Sequence, residues 1–244
     1  MSRDHRVKYG KYEEHLVDQE VISIRVWEHP VVINHWIMVI SVLVLCTTGY
    51  LIAYPPFSQP GEASASFTLG TTRFLHITAG WLLLAGFLVR FYWGFAGNKF
   101  ARWSTMLPLT KKRWLGMWEE VEDLAMPHKR LRRYKGHTPL ANFSYVFLYI
   151  GVLFALITGF SLHSQAHYTP VWRFIAEWSL VLFGGNLNLL HLLHHFAIWI
   201  FPAFVMIHLY LVAYTVRVGR STEIDAMISG RKLILQRALS KFQE

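Results

Sequence analysis

Six histidines, His35, His76, His191, His194, His195 and His208, lie in stretches of chain without a single Asp, Glu, Lys or Arg. An imidazole in such surroundings can hydrogen-bond between helices, relay a proton, or donate a nitrogen lone pair to a metal. A lone histidine fits the first role; six together direct attention to the other two. The only cysteine, Cys46, excludes an intrachain disulfide, a four-thiolate metal site and an iron-sulfur cluster built from this chain alone. His194 and His208 are 14 residues apart. At about 100° and 1.5 Å per helical residue they project within roughly 40° of each other and about 21 Å apart along the axis, so one helix offers ligands at two depths. His191 and His195 project roughly 100° to 140° away from His208 and are disfavoured as its companion, although spacing does not forbid either.

The elements that position these groups follow from the missing charges. Charge-free runs cover 31–61, 74–89, 136–172 and 178–216. A helix crossing the ~30 Å hydrocarbon layer needs roughly 20 apolar residues, which places spans near 34–54, 73–95, 142–163 and 188–216. The first is too long, too far from residue 1 and too poor in cleavage signals for a removable leader. Residues 171–183, with an Arg173–Glu177 helical pair and the breaker Gly184-Gly185-Asn186 after them, read as an amphipathic helix in the interface, a fifth span being the competing reading. The expected fold is all-α: a four-transmembrane-helix bundle with a short amphipathic helix before the fourth span. It divides into an N-terminal segment 1–33, a membrane domain 34–216 with the loop 96–140, and a tail 217–244.

Basic residues orient the bundle. Residues 1–34 hold five, the 96–140 loop ten and 217–244 six, which by the positive-inside rule puts both termini and that loop of a multi-pass membrane protein in the cytoplasm. KKR at 111–113 and KRLRR at 129–133 then set topology rather than bind nucleic acid. His35 begins span one at the inner side and His76 begins span two at the outer side. Topology therefore pairs His76 with His194 at the outer depth and His35 with His208 at the inner depth.

Imidazole pairs without carboxylate or thiolate make a poor closed zinc site, which takes four protein ligands. A haem brings four equatorial nitrogens, and two axial imidazoles complete a six-coordinate iron suited to electron transfer. No C-x-x-C-H run is present, so attachment is non-covalent: two b-type haems between the helices of a bundle. Gly49, 14 residues after His35, lies at the outer haem's depth, and Arg90, 14 after His76, at the inner depth, where it can meet a propionate or snorkel to the interface. Arg73 at the entrance of span two and Gly80 belong to the same surroundings, while close helix packing is the favoured reading of Gly80 and Gly159. His163 and His167 read as interfacial, and Pro202 as a bend between the two ligands of span four.

These residues resemble the b-type cytochrome subunit of membrane-bound nickel-iron hydrogenases over most of the chain. The most specific part is HLLHHFAIWIFPAFVMIH at 191–208, with Trp199, Phe204 and the terminal histidine in place. NHW at 34–36 and RFLH at 73–76 carry the histidines of spans one and two. The resemblance implies ligands at His35, His76, His194 and His208. It also implies a complex in which an iron-sulfur small subunit and a nickel-iron large subunit split hydrogen in the periplasm, and this chain anchors them and passes electrons to quinone. The run VWEHPVVINHW before the first ligand is longer than the spacing of many relatives and leaves the role of Arg25 open.

The whole chain of 244 residues is 53% hydrophobic and 16% charged with a net charge of +9, a balance foreign to an ordinary soluble enzyme. One cysteine cannot hold a hydrogen-activating centre, so enzymatic activity describes a complex. Quinone reduction needs a protonatable group beside an apolar slot; Glu28 and His29, and then Tyr210 and Tyr214, are the candidates. Rival readings are the cytochrome subunit of a membrane formate dehydrogenase, and a haem-free proton transporter whose histidines form a relay.

Overall fold

The computed structural model describes residues 21–55, 67–107, 110–126, 136–167, 169–218 and 221–235. Four long helices form the body: α1 (His29–Ala53), α2 (Thr68–Ala96), α5 (Pro139–Ser164) and α7 (Leu187–Arg217). At 25, 29, 26 and 31 residues, each is long and apolar enough to cross a membrane. Between and around them lie α3 (Trp103–Met106), α4 (Lys111–Ala125), α6 (Pro170–Leu182) and α8 (Glu223–Ser229).

Local chemistry sets the boundaries. Pro30 and Pro139 occupy first-turn positions, where the missing N–H is no loss. The Thr138 hydroxyl caps α5 by accepting from the Ala141 N–H at 3.1 Å, and the Asn186 amide oxygen caps α7 by accepting from Leu189 N–H at 3.0 Å. Gly184 and Gly185, at φ 63° and 73°, make the left-handed turn that separates α6 from α7. With 13 residues, α6 extends about 20 Å and is too short to span, so the described residues hold four candidate spans and not five.

Large apolar side chains such as Leu43, Leu192 and Met206 point outward, while the interior between helices carries Asn34, Ser41, Thr48, Thr158 and Ser161. This is the distribution expected when lipid, not water, is the solvent. Leu83, Val152, Leu156 and Phe201 form the apolar centre, with Met38, Val42 and Leu148 packed against it.

One feature departs from the all-helical expectation. β1 (Val21–Arg25) and β2 (Arg231–Leu235) pair antiparallel, Val21 opposite Leu235 and Arg25 opposite Arg231. The segments on either side of the membrane domain therefore meet, and they cap one end of the bundle, called here the ribbon end. Val26, Trp27, Val32 and Ala226 make a separate small core there. Gly230, at φ 76°, ends α8, and its carbonyl accepts from both Val26 and Trp27 N–H. The opposite, α6 end is built from the turn into α7. The run at 129–133 and residues 1–20 lie outside the described residues.

Candidate functional site

Near the α6 end, His76 of α2 and His194 of α7 face one another with ring centres 6.2 Å apart and planes at 85°. Each ring has a threonine behind it. Thr48 Oγ1 of α1 lies 2.9 Å from His76 Nδ1, and Thr158 Oγ1 of α5 lies 3.0 Å from His194 Nδ1. A hydroxyl has one proton to give, and both are already given to the preceding turn, Thr48 to the Val44 carbonyl at 2.6 Å and Thr158 to the Phe154 carbonyl at 2.8 Å. Both oxygens must then accept, so both imidazoles carry their proton on Nδ1. Nε2 of each ring is left with its lone pair free, the form a metal requires.

The separation suits a shared metal. Roughly 2.0 Å from metal to nitrogen and roughly 1.1 Å from nitrogen to ring centre, on both sides, puts the centres roughly 6.2 Å apart. Among the described residues no three His, Cys, Asp or Glu gather into a metal-holding set. A metal at this pair must bring its remaining ligands with it, as a haem does.

Near the ribbon end, His35 of α1 lies within electrostatic reach of His208 of α7, and the His208 ring stacks on Phe204 at 6.0 Å. His35 Nδ1 is buried without a hydrogen-bond partner among the described residues. Arg90 is only 6% exposed. It donates to the Ala101 carbonyl at 3.0 Å and to Met106 Sδ at 2.6 Å, with the rings of Trp103 and Tyr149 at 5.3 and 5.9 Å. Its second terminal nitrogen is buried with no hydrogen-bond partner among the described residues. A buried guanidinium with one donor unused fits an anionic group such as a propionate.

The other sequence-derived positions sort as follows. A Cβ on Gly49 would stand 3.3 Å from His76 Cε1, and one on Gly159 2.9 Å from His194 Cε1, so each glycine lets an imidazole ring lie against a helix backbone. Gly80 has nothing within 4 Å of the corresponding point, leaving room on the face of α2 one turn beyond His76. Arg73 is exposed one turn before His76. Glu28 accepts from Trp93 Nε1 and from Asn98 N–H, both at 2.8 Å, and so ties the start of α1 to the end of α2. His29 Nε2 accepts from Arg25 at 3.2 Å. Tyr210 and Tyr214 stack with centres 6.2 Å apart. His191 is exposed, and His195 packs on Tyr54 at 5.8 Å, turned from His76. His163 and His167 pack on Trp172.

Sequence reasoning missed Thr48 and Thr158. A signal was present in the repeated Thr-Gly-aromatic run, TGY at 48–50 and TGF at 158–160. It also missed a cluster at the ribbon end, where His137 lies between Trp27 at 4.3 Å and Tyr145 at 4.6 Å. Burial, helped by the Lys232 and Arg90 cations, holds His137 well below the usual imidazole range. Lys232, 4% exposed, donates to Glu223 at 2.7 Å and to the Gly136 carbonyl at 3.2 Å. Glu120 accepts from Leu140 N–H at 3.0 Å, and its burial raises it above the ordinary carboxylate range.

Residues 26–230 match the model of the family described as prokaryotic cytochrome b561. The chain is 36% identical over 214 residues to the "Probable Ni/Fe-hydrogenase B-type cytochrome subunit" of Azotobacter chroococcum mcd 1, covering 86% of this chain and 89% of that one. A protein of the same description from Rhizobium leguminosarum bv. viciae is 36% identical over 218 residues, 88% and 91% of the two chains. The "Probable Ni/Fe-hydrogenase 1 B-type cytochrome subunit" of Escherichia coli (strain K12) is 34% identical over 217 residues, 86% and 91%.

Proposed function

The chain belongs to the prokaryotic cytochrome b561 family, and from that membership we propose that it is the dihaem membrane subunit of a nickel-iron hydrogenase, taking electrons from the hydrogen-oxidising partner and delivering them to quinone. The observation that carries the proposal is the pair of facing imidazoles, His76 and His194, each with a threonine hydroxyl within hydrogen-bond distance of its Nδ1. The relatives are described as Ni/Fe-hydrogenase B-type cytochrome subunits, which supports a hydrogenase as the partner; its iron-sulfur small subunit and nickel-iron large subunit are what the sequence resemblance implies.

In this reading His76 and His194 hold one b-type haem, and His35 and His208 hold the other nearer the ribbon end. Each haem, when bound, would supply a one-electron couple, and these histidines would hold it. The chain's own residues provide the rest: Thr48 and Thr158 orient two of the ligands, Arg90 offers a buried cation to an acidic edge group, and the apolar bundle excludes water. The concentration of basic residues in the segments of the ribbon end supports a cytoplasmic location for that end, for both termini and for the 96–140 loop of an inner-membrane protein. The partner then docks at the α6 end, on the periplasmic side, and α6 lies in the interface there. Quinone takes its protons at the ribbon end, where His29 is exposed and Glu28 stands beside it.

A pyridine haemochrome assay with protein quantitation on the gently purified complex tests the reading. Two non-covalent b haems per chain, reduced by hydrogen and reoxidised by added quinone, are expected. A complex without haem sinks it and leaves the histidines to a proton relay.

A further inference from the structure

We infer that Thr48 and Thr158 are positioning residues that make the His76/His194 level the lower in reduction potential, so that the two histidine levels are ranked by hydrogen bonding. The inference rests on the dihaem reading above. It is carried by an asymmetry between the levels. At the α6 end, both imidazoles give their Nδ1 proton to a hydroxyl oxygen, at 2.9 and 3.0 Å. At the ribbon end, His35 Nδ1 is buried with no such acceptor among the described residues.

The two α6-end clamps are built alike from different helices. In each, the threonine is locked by its own bond to the carbonyl four residues earlier, and the next residue is a glycine against the same ring, Gly49 on His76 and Gly159 on His194. Hydroxyl and glycine together leave the ring one tautomer and one orientation. α1 thus serves the ligand on α2, and α5 the ligand on α7, a repeated device that a merely packing threonine would not require.

The electronic consequence has a definite sign. An imidazole whose N–H is held by an acceptor becomes the more basic ligand through its other nitrogen. A more basic axial ligand favours the oxidised, more positive iron and lowers its potential. His35, lacking that acceptor, is the weaker donor. The level near the α6 end is then the lower and the level near the ribbon end the higher, a downhill order for electrons entering at the α6 end.

The test is a spectroelectrochemical titration of the b-haem bands in the purified complex, for wild type and for Thr48→Val, Thr158→Val and the corresponding Ser variants. The step belonging to the α6-end level is identified as the one lost in His194→Ala. Each Val variant is expected to move that step upward, by about tenfold in the one-electron equilibrium, which is ~59 mV, and to leave the other step in place; Ser restores the wild-type value. Loss of that haem with Val and its retention with Ser also supports the inference. Equal potentials in Thr, Ser and Val forms overturn it, as does finding that the step lost in His194→Ala is the higher one. A wild-type complex with no b haem defeats the dihaem reading itself, an outcome distinct from unchanged potentials.

Discussion

The imidazole of His194 faces that of His76 across 6.2 Å, while the adjacent His195 turns to Tyr54 at 5.8 Å. Neighbours in sequence thus point to different partners. His194→Ala is expected to remove one of two b haems per chain, and His195→Ala to leave both, as counted by pyridine haemochrome. Loss of haem in the second variant with retention in the first would reverse the assignment.

Gly159 and Gly80 make a paired test of space. A methyl on Gly159 would press on His194 Cε1 at 2.9 Å, whereas protein atoms leave Gly80 open. Gly159→Ala should displace the ring and lower α6-end haem content about tenfold or more. Gly80→Leu meets no protein atom near its Cβ, so a loss of haem there would report a macrocycle lying over that face. Full haem content in Gly80→Leu would place the macrocycle elsewhere.

Lys232 and Glu223 close the ribbon end. The ammonium is 4% exposed and its side-chain partner 33%, so Glu223→Gln leaves a buried cation short of its counter-charge. Removing one partner of a fully buried pair costs roughly 3–5 kcal/mol; with the carboxylate partly in water, about 2 kcal/mol is expected. Lys232→Met, which removes the charge and keeps the stem, should cost less. Hydrogen exchange of the 21–25 and 231–235 amides reads the difference directly, and equal protection in both variants would show that the pair does not hold the ribbon.

His137 gives the same region a pH dependence. It is held neutral by burial and by Lys232 and Arg90, with His35 and His208 also in reach and Tyr145 and Trp27 against its ring. Because the folded value lies below the ordinary 6.5, the unfolded segment binds the proton first as pH falls. Stability is complete above about 6.5 and declines below it, down to the folded value. Amide exchange around Trp27 and Gly136 should accelerate from pH 7 to 5, and His137→Phe should flatten that response. An unchanged profile in the variant would assign the acid sensitivity to other groups.

Much of the architecture was legible before any coordinates. The spans placed from the charge-free runs match the four long helices to within five residues at each end, because the cost of placing charge in hydrocarbon is local to the run that carries it. The 14-residue spacing of His194 and His208 was legible for a similar reason, helical geometry being uniform along a single element. The ribbon was not. VISIR and RKLIL are short runs rich in β-branched and apolar residues, but their pairing joins positions 21 and 235, and no local pattern states which distant strand supplies the missing hydrogen bonds.

The same division runs through the candidate site. Residue types and periodicity sufficed to say that this chain is a membrane bundle with histidines at two depths, since hydropathy and helical phase are properties of single segments. Which nitrogen of His76 carries the proton, that Gly49 and Gly159 back the rings of His76 and His194, and that Arg90 is caged by Ala101, Met106, Trp103 and Tyr149 depend on contacts between helices. A hydroxyl 28 residues from the ring it orients leaves no trace in the periodicity of either helix. Such contacts exist only once packing has brought four separate helices to within a few ångströms, and that packing is where the chemistry of the two histidine levels is differentiated.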